Sequence, residues 1–266
     1  MKLDLDGKIA LVTGGDSGMG RETARFLLQE GAAVALSDKT GDELADAARA
    51  LSAHGRCEPF TADLTKPDEV ARLKARVEER FGAPDIVVHA AGTTGPTGDF
   101  LEIDDAGWRE VLEVDLMSAV RVARAFIPGM RAKGWGRLVL ISSENAVQPY
   151  PEEMPYDVAK AGIDALGKSL SKAFGPDGVN VNVVSPAFVA TPMTDAMMDR
   201  KAAEEGTDRA QAIEGFLAQK RPGIVVGRRG RPEEVAAVIA FLCSERASYV
   251  VGANWRVDGG SVMTTT

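Results

Sequence analysis

Short apolar runs alternate along the chain with longer segments in which apolar residues return every three or four positions. The runs Ile9-Ala10-Leu11-Val12, Ala33-Val34-Ala35-Leu36-Ser37, Glu58-Pro59-Phe60-Thr61 and Ile86-Val87-Val88-His89 read as strands. So do Leu138-Val139-Leu140-Ile141, Val179-Asn180-Val181-Asn182-Val183-Val184 and a last one at Trp255-Arg256-Val257. Continuous apolar runs of this length fit a parallel sheet covered on both faces. Helical spacing follows over 21–30, with Ala24, Leu27 and Leu28 on one face, and again over 42–51, 67–81, 108–130 and 235–242. Pro67-Asp68-Glu69 suits a helix start, where a fixed φ and acidic charge are favoured.

This alternation runs on without internal repeat or low-complexity linker, so a single α/β domain over residues 1–266 is expected. The rhythm breaks between Met193 and Leu217, where three methionines mix with Glu204, Glu205, Gly206 and Arg209. Methionine suits adaptable apolar contacts, so a mobile lid over a binding site at about 193–217 is one expectation, and an ordinary surface pair of helices the other.

Composition narrows the picture further. A 45% hydrophobic content supports a real core, and 28 glycines against 13 prolines suit many tight strand-to-helix turns. The formal charge of −8 without a block of basic residues argues against nucleic acid and against an electrostatic membrane anchor, and favours small uncharged or cationic partners. No apolar stretch reaches transmembrane length, and Met1-Lys2-Leu3-Asp4-Leu5-Asp6 is too charged for a secretory leader, so a soluble, cytoplasmic protein is expected. Cys57 and Cys243 read as reduced thiols, and with only His54 and His89 beside them no His/Cys metal site is expected.

Candidate chemistry gathers at strand ends. Thr13-Gly14-Gly15-Asp16-Ser17-Gly18-Met19-Gly20 joins the first strand to the first helix, letting backbone approach a phosphate at a helix N-terminus. Asp38 closes the second strand, where a carboxylate can accept from both ribose hydroxyls of an adenosine and repel a 2′-phosphate; Asp16 adds to that repulsion and Lys39 partly offsets it. NAD is therefore the expected cofactor, with NADP the less favoured alternative. Tyr156 and Lys160 lie four apart on a helix, so an ammonium can reach the phenol and pull its pKa of about 10 down, making it a proton shuttle. Ser143 follows an apolar strand, where its hydroxyl can donate to a substrate oxygen. His89 reads as an interior residue, Asp115 on its helix as part of a solvated face, and Arg228-Arg229-Gly230-Arg231 as a turn with solvated charges.

Taken together, these residues resemble the short-chain dehydrogenases/reductases over essentially the whole chain. The glycine segment is similar to the family's TGxxxGxG, and Ser143, Tyr156 and Lys160 match its serine and YxxxK in order and spacing. The resemblance implies a doubly wound Rossmann-type sheet of about seven parallel strands with helices on both faces. It also implies an NAD(H)-dependent oxidoreductase that interconverts a secondary alcohol and a ketone with Tyr156 as general acid/base, in a homo-oligomer, commonly a tetramer. The cofactor set it implies is Gly14, Ser17, Gly18, Met19, Gly20, Asp38, Asp63, Leu64, Ala90, Ala91, Gly92, Tyr156, Lys160, Pro186, Val189 and Thr191. Three positions depart from the pattern: His89-Ala90-Ala91-Gly92 stands for NNAG, Asp115 for the asparagine of the catalytic tetrad, and Pro186-Ala187 for Pro-Gly. Glu144, Asn145, Phe188, Met193, Met197 and Met198 are the expected substrate-pocket residues by their place relative to the motifs. Two other classes stay open at this point, an NAD-binding sensor or scaffold without turnover and a non-redox lyase or epimerase using the same Tyr/Lys pair.

Overall fold

The computed structural model describes residues 2–265, so Met1 and Thr266 of the expected single domain lie outside the described residues. Seven strands form one sheet: β1 (Ile9–Thr13), β2 (Ala33–Asp38), β3 (Cys57–Thr61), β4 (Ile86–His89), β5 (Gly136–Ile141), β6 (Val179–Pro186) and β7 (Asn254–Val257). Their order is β3-β2-β1-β4-β5-β6-β7, and every neighbouring pair is parallel. Chain order reverses between β1 and β4, which opens a crevice at their C-terminal ends, the place where open parallel sheets bind ligands.

Why the strands read as unbroken apolar runs is clear from their two faces. Ala10, Val12, Val34, Leu36 and Val88 point into a core with α1 (Gly18–Gln29), α2 (Gly41–Leu51) and α9 (Pro232–Leu242). Leu11, Ala35, Val87, Leu138 and Leu140 point to the opposite core, shared with α3 (Pro67–Phe81), α5 (Ser118–Lys133) and α6 (Met154–Phe174). In β6 the alternation is sharper. Val179, Val181 and Val183 enter the second core, whereas the Asn180 and Asn182 amides donate to the carbonyls of Ser248 and Val250 at 3.0 and 2.7 Å, holding the loop into β7.

Two segments differ from the periodicity reading. The helix expected over 108–130 is three pieces: α4 (Asp105–Val111), a wider π-type stretch over Leu112–Met117, and α5. Such a widening rotates the residues within it, and Asp115 is thereby turned inward and buried instead of lying on a solvated face. The segment around 193–217 is a pair of helices, α7 (Pro192–Glu205) and α8 (Arg209–Lys220), turned at Gly206 with φ 66°, a left-handed conformation that suits glycine. Met198, Phe216, Phe188 and Ile224 form a separate small core beneath this pair. Of the basic turn, Arg228 and Arg231 are exposed as expected and pair with half-buried Glu234, but Arg229 is largely buried and donates to Asp195 at 2.7 Å and to the Val189 carbonyl at 3.3 Å.

Candidate active site

The crevice between β1 and β4 is a cleft of about 380 Å³. Gly14, Ser17, Gly18, Met19 and Gly20 line one side, Ala90, Ala91 and Gly92 another, and Asp38, Asp63, Leu64 and Thr191 complete it. The glycines are there because nothing larger fits. A Cβ on Gly14 would stand 2.6 Å from the Ala90 carbonyl carbon, and one on Gly20 only 2.0 Å from the Gly14 carbonyl oxygen. Ser17, at the N-cap of α1, turns its hydroxyl to Asp16 at 3.1 Å and does not cap the helix, so the first amides stay free to meet an anion.

Charge in the cleft is acidic. Burial pushes the Asp38 carboxyl above its ordinary range and the Asp16 charge adds to this, while the Lys39 amide, 2.6 Å from the carboxylate, and Thr40 pull it back. Asp63 is held below its ordinary range by the Thr65 hydroxyl at 2.7 Å. A helix terminus, close backbone and carboxylates at the ribose end fit a dinucleotide. Pro186 and Val189 do not line the cleft. The Val189 side chain faces the other way, towards a neighbouring hollow with Phe188, although its own N–H has no partner among the described residues.

Beside the cleft, α6 carries Tyr156 and Lys160 on one face, and the Lys160 Nζ stands 5.3 Å from the centre of the Tyr156 ring. The ammonium is buried, donates to the Ile141 carbonyl at the end of β5 at 3.2 Å, and pairs with Asp115 at 3.5 Å. Burial alone would depress the lysine, but the Asp115 carboxylate and the Tyr156 phenol lift it above its ordinary value. Asp115 in turn accepts from the Thr93 amide at 2.7 Å; burial raises its carboxyl and Lys160 opposes the rise. The expectation that the lysine lowers the Tyr156 pKa meets a stronger effect. Burial raises it above 10, Lys160 pulls it down, and the Asp115 and Glu153 charges push it up again. Gly92 ties this cluster to the cleft it lines, because a Cβ there would meet Asp115 at 3.1 Å and Lys160 at 3.4 Å.

Ser143 sits two residues past β5 and is buried. Its Oγ donates to Asn145 Oδ1 at 3.0 Å and accepts from the Asn145 amide at 3.2 Å. Glu144 and Asn145, expected to line a substrate pocket, are instead buried in the support of this serine. Glu144 pairs with Arg221 at 3.1 Å, and Asn145 donates to Glu153 and Asp157 at 2.8 and 2.7 Å. Phe188 and Met198 are likewise withdrawn into the small core under α7 and α8, with Met197 packed against it, while half-exposed Met193 lines the cofactor cleft.

A family model described as Enoyl-(Acyl carrier protein) reductase matches residues 14–262. The chain is a short-chain dehydrogenase/reductase. It is 35% identical over 262 residues to an uncharacterized oxidoreductase, YvrD, of Bacillus subtilis, covering 98% of this chain and 99% of that one. Identity to a cis-4-hydroxycyclohexanecarboxylate dehydrogenase of Sinomonas cyclohexanicum is 36%, over 95% of this chain and 96% of the relative. Among solved structures, an L-sorbose reductase from Gluconobacter frateurii complexed with NADPH and L-sorbose superposes with TM-score 0.93 at 34% identity, covering 99% of this chain and 100% of its own.

As an oxidoreductase of this family, the chain carries site residues that sequence reasoning passed over. Thr93 fixes Asp115, and Val114, Ser118 and Pro192 line the cofactor cleft. Arg221, far from every motif, reaches the serine's neighbours. The inward set of Val114, Asp115 and Ser118 depends on the π-type widening, which 3.6-residue periodicity does not reveal. His89 is interior, as read: its ring nitrogens bond Thr13 and Ser118 at 2.9 and 3.0 Å, and burial, with help from the Lys160 charge, depresses its pKa to about 3.

Proposed function

We propose that this short-chain dehydrogenase/reductase interconverts a secondary alcohol and a ketone with NAD(H), with Tyr156 as the general acid/base. The observation that carries the reading is the cluster of Tyr156, Lys160 and Asp115 joined to the cofactor cleft through Gly92. When bound, the nicotinamide accepts or returns hydride at the substrate carbon. The chain's own part is the proton and its positioning. Lys160 opposes the rise that burial gives the phenol, and the positive charge of the oxidised nicotinamide would add to that opposition when bound; in this reading Tyr156 then takes the alcohol proton during oxidation and gives it to the ketone oxygen in reverse. Ser143 steadies that oxygen by turning its one proton from Asn145 Oδ1 to the substrate, while the Asn145 amide still donates to the serine oxygen. Val189 and Thr191 serve the carboxamide end, Val189 through its unpartnered N–H.

NAD over NADP is our reading of the charge. Asp38, Asp16 and Asp63 line the adenosine end against Lys39, the single cation lining the cleft among the described residues, so a 2′-phosphate meets net repulsion. The L-sorbose reductase is bound to NADPH, so the NAD reading stands against that likeness and rests on the charge of this cleft alone. A wider cleft of about 810 Å³ shares Thr93 and Glu110 with the cofactor cleft and opens between the 93–98 loop and Arg200 of α7, with Asp99, Glu102, Asp104 and Glu110 on its rim. That acidic rim supports a small uncharged or cationic substrate, and in this reading α7 and α8 serve as a lid over it. An apolar groove between α5 and α6, lined by Val120, Ile127, Leu166 and Phe174, supports self-association.

The test gives the protein NAD or NADP with a panel of secondary alcohols that includes cis-4-hydroxycyclohexanecarboxylate. Reduced nicotinamide forming preferentially from NAD is the expected result. Preference for NADP would overturn the cofactor assignment, and no turnover by either cofactor with any alcohol or the matching ketones would overturn the reaction.

A further inference from the structure

At the end of α8, Arg221 leaves the helical pair and enters the catalytic loop. Its side chain is 7% exposed, although it is one of the longest cations a protein can bury. Nε donates to Glu144 at 3.1 Å, Nη2 to Glu153 at 2.8 Å and Nη1 to the Lys220 carbonyl at 3.1 Å. The guanidinium also lies over the Tyr150 ring, 3.5 Å from its centre, a stacking that lysine cannot reproduce. Glu144 is the residue after Ser143, and Glu153 stands three before Tyr156, so one cation holds both sides of the loop between the catalytic serine and tyrosine.

The fork reaches the serine hydroxyl through one amide. Asn145 Nδ2 donates to Glu153 at 2.8 Å and to Asp157 at 2.7 Å. Flipping that amide would face its oxygen towards two carboxylates, so Oδ1 has a single allowed direction, towards Ser143, whose Oγ donates to it at 3.0 Å. Asp157, the neighbour of Tyr156, closes the circuit by accepting from the Tyr150 amide at 2.9 Å, under the ring on which Arg221 lies. Burial raises the Glu144 carboxyl, and the Arg221 charge opposes that rise together with the Ser261 and Tyr150 hydroxyls. Behind the arginine, its backbone N–H bonds the Phe216 carbonyl at 3.2 Å, and Phe216 stacks on Phe188, 4.8 Å between ring centres, in the small core of the pair.

We propose that Arg221 is a positioning residue: it fixes the Ser143 hydroxyl through Glu144, Glu153 and Asn145, so that the catalytic serine is correctly set only while the α7–α8 pair is docked. This rests on the reaction assigned above to Ser143 and Tyr156. A closing of the pair over a substrate is thereby coupled to assembly of the site, by a charged contact in place of a substrate contact. Breaking the fork strands buried carboxylates and frees the loop, and small misplacements at a reacting centre cost large factors in rate.

The test uses the full-length chain with Arg221→Gln and Arg221→Lys, the lysine variant standing in should the glutamine variant fail to fold. Hydrogen–deuterium exchange reads the loop without any substrate. We expect amides within 143–157 to exchange about tenfold faster in R221Q while 14–20 and 89–93 stay near wild type, NAD binding by fluorescence titration unchanged, and R221K intermediate. With any panel alcohol that the wild type oxidises, kcat falls about tenfold or more at unchanged KM for NAD. In a Ser143→Ala background R221Q then costs little further, because the arginine acts through the serine. Unchanged exchange over 143–157, a rise spread through the whole sheet, or a full additional loss in the S143A background would overturn the proposal. If the wild type oxidises none of the alcohols, the reaction assignment fails, while the exchange data alone still decide whether Arg221 holds the loop.

Discussion

The two ends of the active cleft are built by different physics. Around the cofactor, shape comes from backbone: glycines at contacts where a Cβ would stand 2.0 to 2.6 Å from carbonyl atoms, a helix start without a side-chain cap, and strand ends in parallel register. Around Ser143 and Tyr156, the residues proposed to handle the proton, shape comes from buried charge. Arg221 between Glu144 and Glu153, and Lys160 against Asp115, are held by long side chains from four separate segments. The first construction is local and tolerates little substitution at each position. The second is long-range, and each member is stable only in the company of the others, since a buried charge left alone is strongly unfavourable.

His89 lies on the seam between the two regions and allows the largest test of it. This ring replaces the first asparagine of the family pattern and is buried neutral, with a pKa near 3 against an ordinary 6.5. Between those values the unfolded chain binds a proton that the folded chain does not. The stability it contributes is therefore whole above pH 6.5 and lost as pH falls towards 3, in total up to about 5 kcal/mol. His89→Asn removes that dependence. Urea unfolding at pH 8, 5 and 4 should show the wild type losing more stability on acidification than the variant, and parallel losses would mean that the seam is not a buried neutral imidazole.

A smaller effect is expected on the backbone-built side, where charge enters only at the rim. Asp38→Ala should shift the NADP-to-NAD affinity ratio towards NADP by about tenfold, by removing one carboxylate near a 2′-phosphate. Fluorescence titration of both cofactors measures it. An unmoved ratio would place cofactor choice elsewhere in the cleft, which Asp16, Asp63 and Glu110 also line.

This division also explains what the sequence made legible. β1, β2, β4 and β5 could be read because two-sided burial writes continuous apolar runs, and the glycine turn because close backbone approach demands glycine at fixed spacing; the partly exposed edge strands β3 and β7 carry a weaker apolar signal. Tyr156 and Lys160 were readable because helical spacing of four carries its own geometry. Asp115 was not readable as buried, since the π-type widening that turns it inward leaves no trace in a 3.6-residue pattern. Glu144, Asn145 and Met198 carry polarity or adaptability that suits a pocket wall as well as an interior, and only tertiary contacts with Arg221, Ser143 and Phe216 decide between the two. Arg221 itself lies 77 residues from Glu144, too far for any local pattern to join them.

The most direct test of the central claim is Tyr156→Phe beside the wild type, with NAD binding and turnover of the same alcohol measured on both. The phenylalanine keeps the ring against Lys160 and removes only the hydroxyl that carries the proton. The account predicts that NAD affinity stays within about twofold while turnover falls by about a thousandfold or more. A variant that still oxidises the alcohol at a comparable rate would contradict it, and would move the acid/base role away from Tyr156.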